Sequence, residues 1–323
     1  MSRIAVTGAA GFIGRAVVRE ALARGHDVVA VVRAAPPEGT LSANIEVRAV
    51  GDLREPTAQT AAAEGCEAVI HLAARSVSRD ERAHAAEFFR AHNELVTAGL
   101  AEAAVRAGCR RFVLASSLKV YASTTPDGAV LTDDAAPAPD TAYGASKLAA
   151  EARLADIAGR AGLSAIALRP PAVYGPGAGA SQLGLLMRMV QRGLPMPLAS
   201  VKNRRSFIYS ENFAAALVKA CESKVTGSFI VTDSAPLSSR ELVERIAFAL
   251  GVKPRLVPAP VGLMRALASA GGSRARQMAD SLLGSMAVDG TPFCDATGWE
   301  PSVDPQEAMA RTARAYLAAQ GSA

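Results

Sequence analysis

No run of about 18 or more apolar residues occurs anywhere in the 323-residue sequence, so no membrane-spanning helix is expected. Cysteine is scarce. Cys66, Cys109, Cys221 and Cys294 lie far apart, without CxxC or Cys/His ligand spacing. That scatter excludes a zinc site and a disulfide framework, and suits reduced, mostly buried thiols in a cytoplasmic protein. An apolar, strand-like run begins at residues 3–6, so no secretory signal peptide is expected. Charge is sparse too, at 20% of residues against 50% hydrophobic, which leaves ample material for a large core. The net charge is nevertheless +5. The arginines are dispersed, and no helix-turn-helix, zinc finger or aromatic–basic platform accompanies them, so nucleic acid is not expected as a partner; nor, without an apolar span, is a membrane. A small anionic substrate suits the excess.

What is present is alternation. Short Val/Ile/Leu-rich runs at 3–7, 27–33, 45–50, 68–73, 111–116 and 163–169 read as strands buried on both faces of a parallel sheet. Helix-like stretches at 14–24, 87–107 and 142–160 separate them. Strict alternation predicts an α/β fold with a Rossmann-type, doubly wound parallel sheet. After about Pro170, Gly175, Pro176 and Gly177 punctuate the chain. A helix at 212–221, a strand at 229–233, a capping box at Ser238 and Glu241 and a last helix at 302–317 follow. The expected organisation is a dinucleotide-binding domain of 1–170 plus about 206–235. About 171–205 plus 236–323 would form a small α/β substrate lobe.

The segment Thr7-Gly8-Ala9-Ala10-Gly11-Phe12-Ile13-Gly14 follows the first strand directly and opens the first helix. Gly8 permits a tight turn, Gly11 lets a pyrophosphate approach the backbone, and Gly14 allows close helix–strand packing. The helix N-terminus offers free N–H groups to phosphates. About 20 residues further on, NAD-binding versions of the fold usually place an acid on the ribose hydroxyls. None lies between Asp27 and Glu38, and Arg33 stands there instead, able to pair with a 2′-phosphate with Arg15 nearby. NADP(H) is therefore favoured over NAD(H). Asp52 and Leu53 after the third strand suit the adenine edge, and Leu72, Ala73 and Ala74 give small residues against ribose and nicotinamide.

Tyr143 and Lys147 stand four apart on one helical face, which puts an ammonium near a phenol. A nearby cation and an oxidised nicotinamide would favour the phenolate and make it a general acid/base. Ser117, at the carboxyl end of the fifth strand, can hold the reacting carbonyl oxygen.

Through TGAAGFIG (7–14), GDL (51–53), HLAA (71–74), SSLKVY (116–121), YGASK (143–147) and RPPAVYGPG (169–177), the chain resembles the extended short-chain dehydrogenase/reductases over essentially its whole length. The resemblance implies a catalytic set of Ser117, Tyr143 and Lys147, with Asn93 supporting the active-site backbone. It implies cofactor contacts from Gly8, Gly11, Phe12, Ile13, Gly14, Arg33, Asp52, Leu53, Leu72, Ala73, Ala74, Asn93, Ser116, Tyr143, Lys147, Pro170, Ala172 and Val173. A UDP-sugar would meet Ser76, Ser117, Lys119, Tyr143, Gln182, Leu183 and Arg205, with Arg205 on the pyrophosphate. The family's usual homodimer would pair the helices at 87–107 and 142–160, although their apolar stripes also suit a core.

Dehydratases of this kind carry an Asp-Glu pair directly after the catalytic hydroxyl, where this chain has Leu118 and Lys119. Dehydration is therefore not expected. SSLKV, residues 133–139, RPPAVYGPG and residues 202–206 resemble bacterial polysaccharide enzymes that reduce or epimerise carbon 4 of UDP-sugars. Ala172 replaces an asparagine usual in galactose epimerases, and an acid to retain NAD is missing. Both departures favour a 4-keto reductase over an NAD-retaining 4-epimerase. A non-catalytic dinucleotide sensor is disfavoured, because such proteins commonly lose the tyrosine.

Overall fold

The structure, a computed structural model, describes residues 1–42, 45–76, 85–178 and 182–321. The first half runs β1 (Arg3–Thr7), α1 (Phe12–Ala23), β2 (Asp27–Val32), β3 (Glu46–Ala49), α2 (Pro56–Ala63), β4 (Ala68–His71), α3 (Ala85–Phe89), a π-turn at Arg90–Glu94 and α4 (Leu95–Arg106). It continues through β5 (Arg111–Ala115), a 3-10 turn at Leu118–Val120, β6 (Val130–Leu131), α5 (Ala142–Ala161) and β7 (Ser164–Arg169). The rest is β8 (Ala172–Tyr174), α6 (Gln182–Gln191), β9 (Phe207–Tyr209), α7 (Ser210–Glu222), β10 (Gly227–Ile230), α8 (Ser239–Leu250), α9 (Val261–Ala270), α10 (Gly272–Leu283), β11 (Ala287–Val288), α11 (Thr291–Thr297) and α12 (Pro305–Gly321).

Seven strands form one parallel sheet in the order β10-β7-β5-β4-β1-β2-β3. The chain winds outward from β1 through β2 to β3, then returns to place β4 on the other side of β1. The crevice where this order reverses, beyond the carboxyl ends of β1 and β4, is where doubly wound sheets take ligands. Alternate residues of one strand feed opposite cores, as the two-residue period requires. Ile4 and Val6 pack with α1 and α7, whereas Ala5, Val29 and Val31 pack with α2, α4 and α5.

A separate core lies beyond the sheet, where Leu186, Met187, Val243, Ile246 and Met309 from α6, α8 and α12 meet. The Ser238 capping box that opens α8 is formed, with reciprocal bonds to Glu241.

Several elements depart from the sequence expectation. The run at 45–50 is a short edge strand with Glu46, Val47 and Ala49 exposed, so it is not buried on both faces. The helix expected at 87–107 is α3, a π-turn and α4 in succession. The strand expected at 229–233 is shifted back to Gly227–Ile230, and the Asp133 carboxylate accepts the Ile230 N–H at 2.6 Å.

Beneath the carboxyl edge of the sheet lies a buried ion pair. Arg169 Nη2 reaches Glu151 Oε2 at 2.6 Å, Arg169 Nε donates to both carboxylate oxygens, and Arg169 Nη1 donates to the Tyr121 phenol oxygen at 2.6 Å. Ser116 donates a short hydrogen bond to the same carboxylate, and Ser228 a longer one at 3.2 Å. Removing one partner of such a pair leaves an uncompensated buried charge. Glu151→Ala is expected to cost about 3–5 kcal/mol in denaturant unfolding, and the double replacement Glu151→Leu with Arg169→Met to recover most of it. A single variant within about 1 kcal/mol of the parent would contradict this role.

Candidate active site

The first glycine turn is shaped for close approach. Gly8 has φ 70°, and a Cβ on it would lie 3.1 Å from the Ala73 backbone nitrogen. A Cβ on Gly14 would collide with the Gly8 carbonyl, so α1 lies directly on the turn. The N-cap of α1, Gly11, has no side-chain cap, and the first turn has no acid, which leaves its N–H groups to a ligand. Opposite, Thr7 Oγ1 accepts the N–H groups of Leu72 and Ala73, each at 3.2 Å, and bonds His71 Nδ1 at 2.7 Å. Thr7 thereby braces the end of β4 against that of β1. In the sequence Thr7 is only the residue before Gly8, and no local pattern marks this role.

A cleft of about 360 Å³ opens here, lined by Gly8, Val32, Arg33, Asp52, Leu53, Ala73, Ala74, Arg75 and His92. Arg33 is exposed at its rim, and the Asp52 carboxyl, bonded by Arg54, is held well below the usual carboxylate range. Phe12 and Ile13 are half-buried at the start of α1. A cradle that a Cβ would fill, free helix N–H groups and a flat cleft beyond fit a dinucleotide.

Asn93 lies buried in the π-turn. Its Oδ1 accepts the Arg75 N–H at 2.9 Å, and its Nδ2 donates to the Arg75 carbonyl and to Ser146 Oγ. Ser146 in turn donates to the Tyr143 carbonyl at 2.7 Å. Asn93 therefore ties the segment after β4 to the start of α5. The extra residue of the π-turn is a frequent companion of functional sites, and nothing in the helical periodicity signalled it.

Thr141 caps α5 by accepting the Gly144 N–H at 3.0 Å, which places Tyr143 in its first turn. Ser117 caps the 3-10 turn, its Oγ accepting the Lys119 N–H at 3.2 Å, and its hydroxyl lies near the Tyr143 phenol. The two caps meet at Gly144, where any Cβ would run into the Lys119 carbonyl. Glycine at this position thus sets the Ser117–Tyr143 approach. Phe89 stands edge-on to the Tyr143 ring at 5.8 Å.

Burial pushes the Tyr143 phenol up, with the Ser117 hydrogen bond opposing it. The expected lowering by Lys147 is thus not a feature of the free protein, in which the tyrosine stays protonated. Lys147 is buried, which drives it down to about 8 against the pull of Glu151, and it remains mostly charged at neutral pH. Burial, then the Lys147 charge, lowers His71 to about 3, so that imidazole is neutral.

On the other side, Lys119 Nζ donates to Ser123 Oγ at 2.9 Å, and Ser123 donates to Asp140 at 2.8 Å. Burial first and the Arg205 charge second lower the Lys119 ammonium. Arg205 commits Nη1 to the Asp280 and Gly284 carbonyls, each at 3.1 Å. Gln182 is exposed at the start of α6, beside an apolar cleft of about 280 Å³ between α6 and α10.

Four expected contacts stand differently. The Ser116 hydroxyl is spent on Glu151, so only its backbone can meet a cofactor. The Leu183 side chain belongs to the core of the second lobe, and Val173 packs against the sheet core. Pro170 is buried, its carbonyl accepting the Leu118 N–H at 3.0 Å. Ala172 and Ser76 are exposed. Among the described residues, no group of three or more His, Cys, Asp or Glu is arranged to hold a metal ion.

Gly144→Ala should lower kcat/KM about 100-fold by displacing the serine from the phenol. Unchanged turnover in a folded variant would remove Gly144 from the site. For His71, ordinarily near 6.5 and here near 3, the unfolded chain binds the extra proton between those values. Stability therefore falls as the pH drops through that window, by up to about 1.4 kcal/mol per pH unit. His71→Gln should flatten that part of the acid limb in urea titrations, and an identical slope would refute it.

Residues 4–231 match the model of the NAD dependent epimerase/dehydratase family. The chain is 30% identical over 323 residues to a UDP-glucose 4-epimerase of Vibrio cholerae, covering 98% of this chain and 96% of that one. It is 34% identical over 260 residues to a ceramide reductase of Caulobacter vibrioides, covering 80% and 73% respectively. Its structure resembles that of the Thermus thermophilus UDP-glucose 4-epimerase in complex with NAD, with a TM-score of 0.78 at 26% identity over 98% of this chain and 99% of that one. The likeness to MoeE5 in complex with UDP-glucose and NAD has a TM-score of 0.76 at 29% identity over 99% and 100%. The glycine turn, the Ser117–Tyr143–Lys147 set and the extent of these matches agree: the chain belongs to the NAD-dependent epimerase/dehydratase family.

Proposed function

We propose that this chain is an NADPH-dependent reductase acting on the 4-keto group of a UDP-linked 4-keto-6-deoxyhexosamine, free or N-acetylated, in the building of a bacterial polysaccharide such as O-antigen. One observation carries the reading. Ser117 lies beside the Tyr143 phenol, with Lys147 buried on the same helix, while the turn after Ser117 presents Leu118, buried in an apolar cluster, and Lys119. No acid–base pair stands there to remove water from a sugar. Arg33 at the rim of the cleft, with no acid at the end of β2 where a ribose hydroxyl would be held, supports a cofactor with a 2′-phosphate.

A bound dihydronicotinamide supplies the hydride. Ser117 holds the carbonyl oxygen of the sugar, and Tyr143 gives that oxygen a proton as carbon 4 becomes a carbinol. The raised phenol suits this direction, since it carries the proton to be transferred. The buried Lys147 stabilises the phenolate left behind, and solvent restores its proton. Arg205 and Lys119 offer adjacent positive charge to a pyrophosphate.

The whole-length similarity to a UDP-glucose 4-epimerase favours a second reading, an NAD-retaining UDP-hexose or UDP-N-acetylhexosamine 4-epimerase. Against it stand Arg33 and Ala172. The test is to mix the purified protein with UDP-4-keto-6-deoxy-N-acetylglucosamine and NADPH or NADH. Stoichiometric loss of nicotinamide absorbance is expected, faster with NADPH, and Arg33→Asp should reduce the NADPH preference about tenfold. No loss with either cofactor overturns the reductase. Cofactor co-purifying with the protein, with turnover of UDP-N-acetylglucosamine without added nicotinamide, identifies the epimerase.

A further inference from the structure

The outer side of the second lobe combines exposed leucines with unpaired cations. Residues 182–205 and 251–279 contain no Asp or Glu. Arg188, Arg192, Lys253, Arg255 and Arg276 are exposed, and among the described residues none of them makes an ion pair. Several arginines on the sheet side behave differently. Arg3, Arg24, Arg48 and Arg110 all hold carboxylates.

The two acid-free segments are neighbours in space. Met196 bridges Leu256, the Ala199 N–H donates to the Val257 carbonyl at 3.2 Å, and α6 faces α10 across the apolar cleft. On this side lies α9, a ten-residue helix with no buried residue. Its inner face, Val261 and Met264, packs against the lobe core. On its outer face Leu263 and Leu267, one turn apart, are 57% and 65% exposed, and Met278 on α10 is 47% exposed.

We propose that the α9–α10 face docks on an anionic lipid bilayer, with Leu263 and Leu267 entering the headgroup boundary and the surrounding cations meeting lipid phosphates. A leucine-bearing helix lying in the interface, ringed by Lys and Arg, combines the apolar and electrostatic contributions that hold peripheral proteins to membranes. A second copy of this chain fits less well, because a two-fold contact would set unpaired cations against one another with no acid between them. A nucleic acid would answer the cations and leave the leucines uncovered. No described helix is long and apolar enough to span a membrane, so the association is peripheral. This proposal departs from the sequence expectation of no membrane partner, which followed from the lack of an apolar run long enough to span one.

The test is co-sedimentation of the full chain with vesicles of phosphatidylcholine alone and of phosphatidylcholine mixed with phosphatidylglycerol. Binding to the anionic vesicles should be at least about tenfold tighter, and high salt should weaken it. Leu263→Glu with Leu267→Glu, and separately Lys253→Glu with Arg276→Glu, should each lose about tenfold while retaining NADPH binding and melting temperature. The proposal is overturned if the anionic vesicles hold no advantage, or if the leucine pair binds them as the parent does. It is equally overturned if light scattering shows that the leucine pair only dissociates an oligomer and neither protein sediments with lipid.

Discussion

Glu151 sits on α5 one turn beyond Lys147, and its shielded carboxylate is gripped by Arg169 at the end of β7, Ser116 after β5 and Ser228 on β10. Arg169 also reaches the Tyr121 phenol behind the 3-10 turn. Three strands, one helix and one turn thus share one buried charge pair. Charges out of water are tolerated only while their partners stay in place, so these elements cannot drift apart without a cost of several kcal/mol. The residues proposed as catalytic are attached to that frame. Ser117 is the next residue after Ser116, Tyr143 and Lys147 precede Glu151 on the same helix, and Gly144 lets the helix press on the turn that carries Ser117.

The frame also sets the protonation states. Lys147 is buried, yet the Glu151 carboxylate moderates its fall to about 8, so a proton stays on the nitrogen at neutral pH. The same burial keeps the His71 ring neutral and the Tyr143 phenol protonated. A protonated phenol with a serine hydroxyl beside it can give up a proton once a carbonyl and a hydride source are in position. The protonated phenol suits the proposed direction, reduction.

The modest excess of positive charge is not spread evenly. On the sheet side the arginines are largely consumed by carboxylates. Among the described residues, the cations without a carboxylate partner include Arg33 at the cleft rim, Lys119 near Arg205, and those of the acid-free face around α9. Each place suits a phosphate, whether of a cofactor, a nucleotide sugar or a lipid. A single composition number, +5, could not separate these roles.

Local pattern decided much of this molecule. A strand buried on both faces needs an apolar run, a nucleotide turn needs glycines at fixed spacing, and a helix brings residues four apart together. Arg3–Thr7, the Gly8–Gly14 turn, the Ser238 cap and the Tyr143–Lys147 pair were therefore legible from the sequence, and the seven-stranded sheet followed from alternation. Features that depend on distant partners were not legible. The π-turn at Asn93 exists because Arg75 and Ser146 take its amide, and the edge exposure of β3 follows from its place in the sheet. Ser116 reads as a cofactor contact until Glu151 claims its hydroxyl, and Gly144 as a helix residue until the Lys119 carbonyl arrives. Sequence spacing determines which residues share a face. Only the tertiary fold decides which buried charge meets which, because that depends on contacts between segments far apart in the chain.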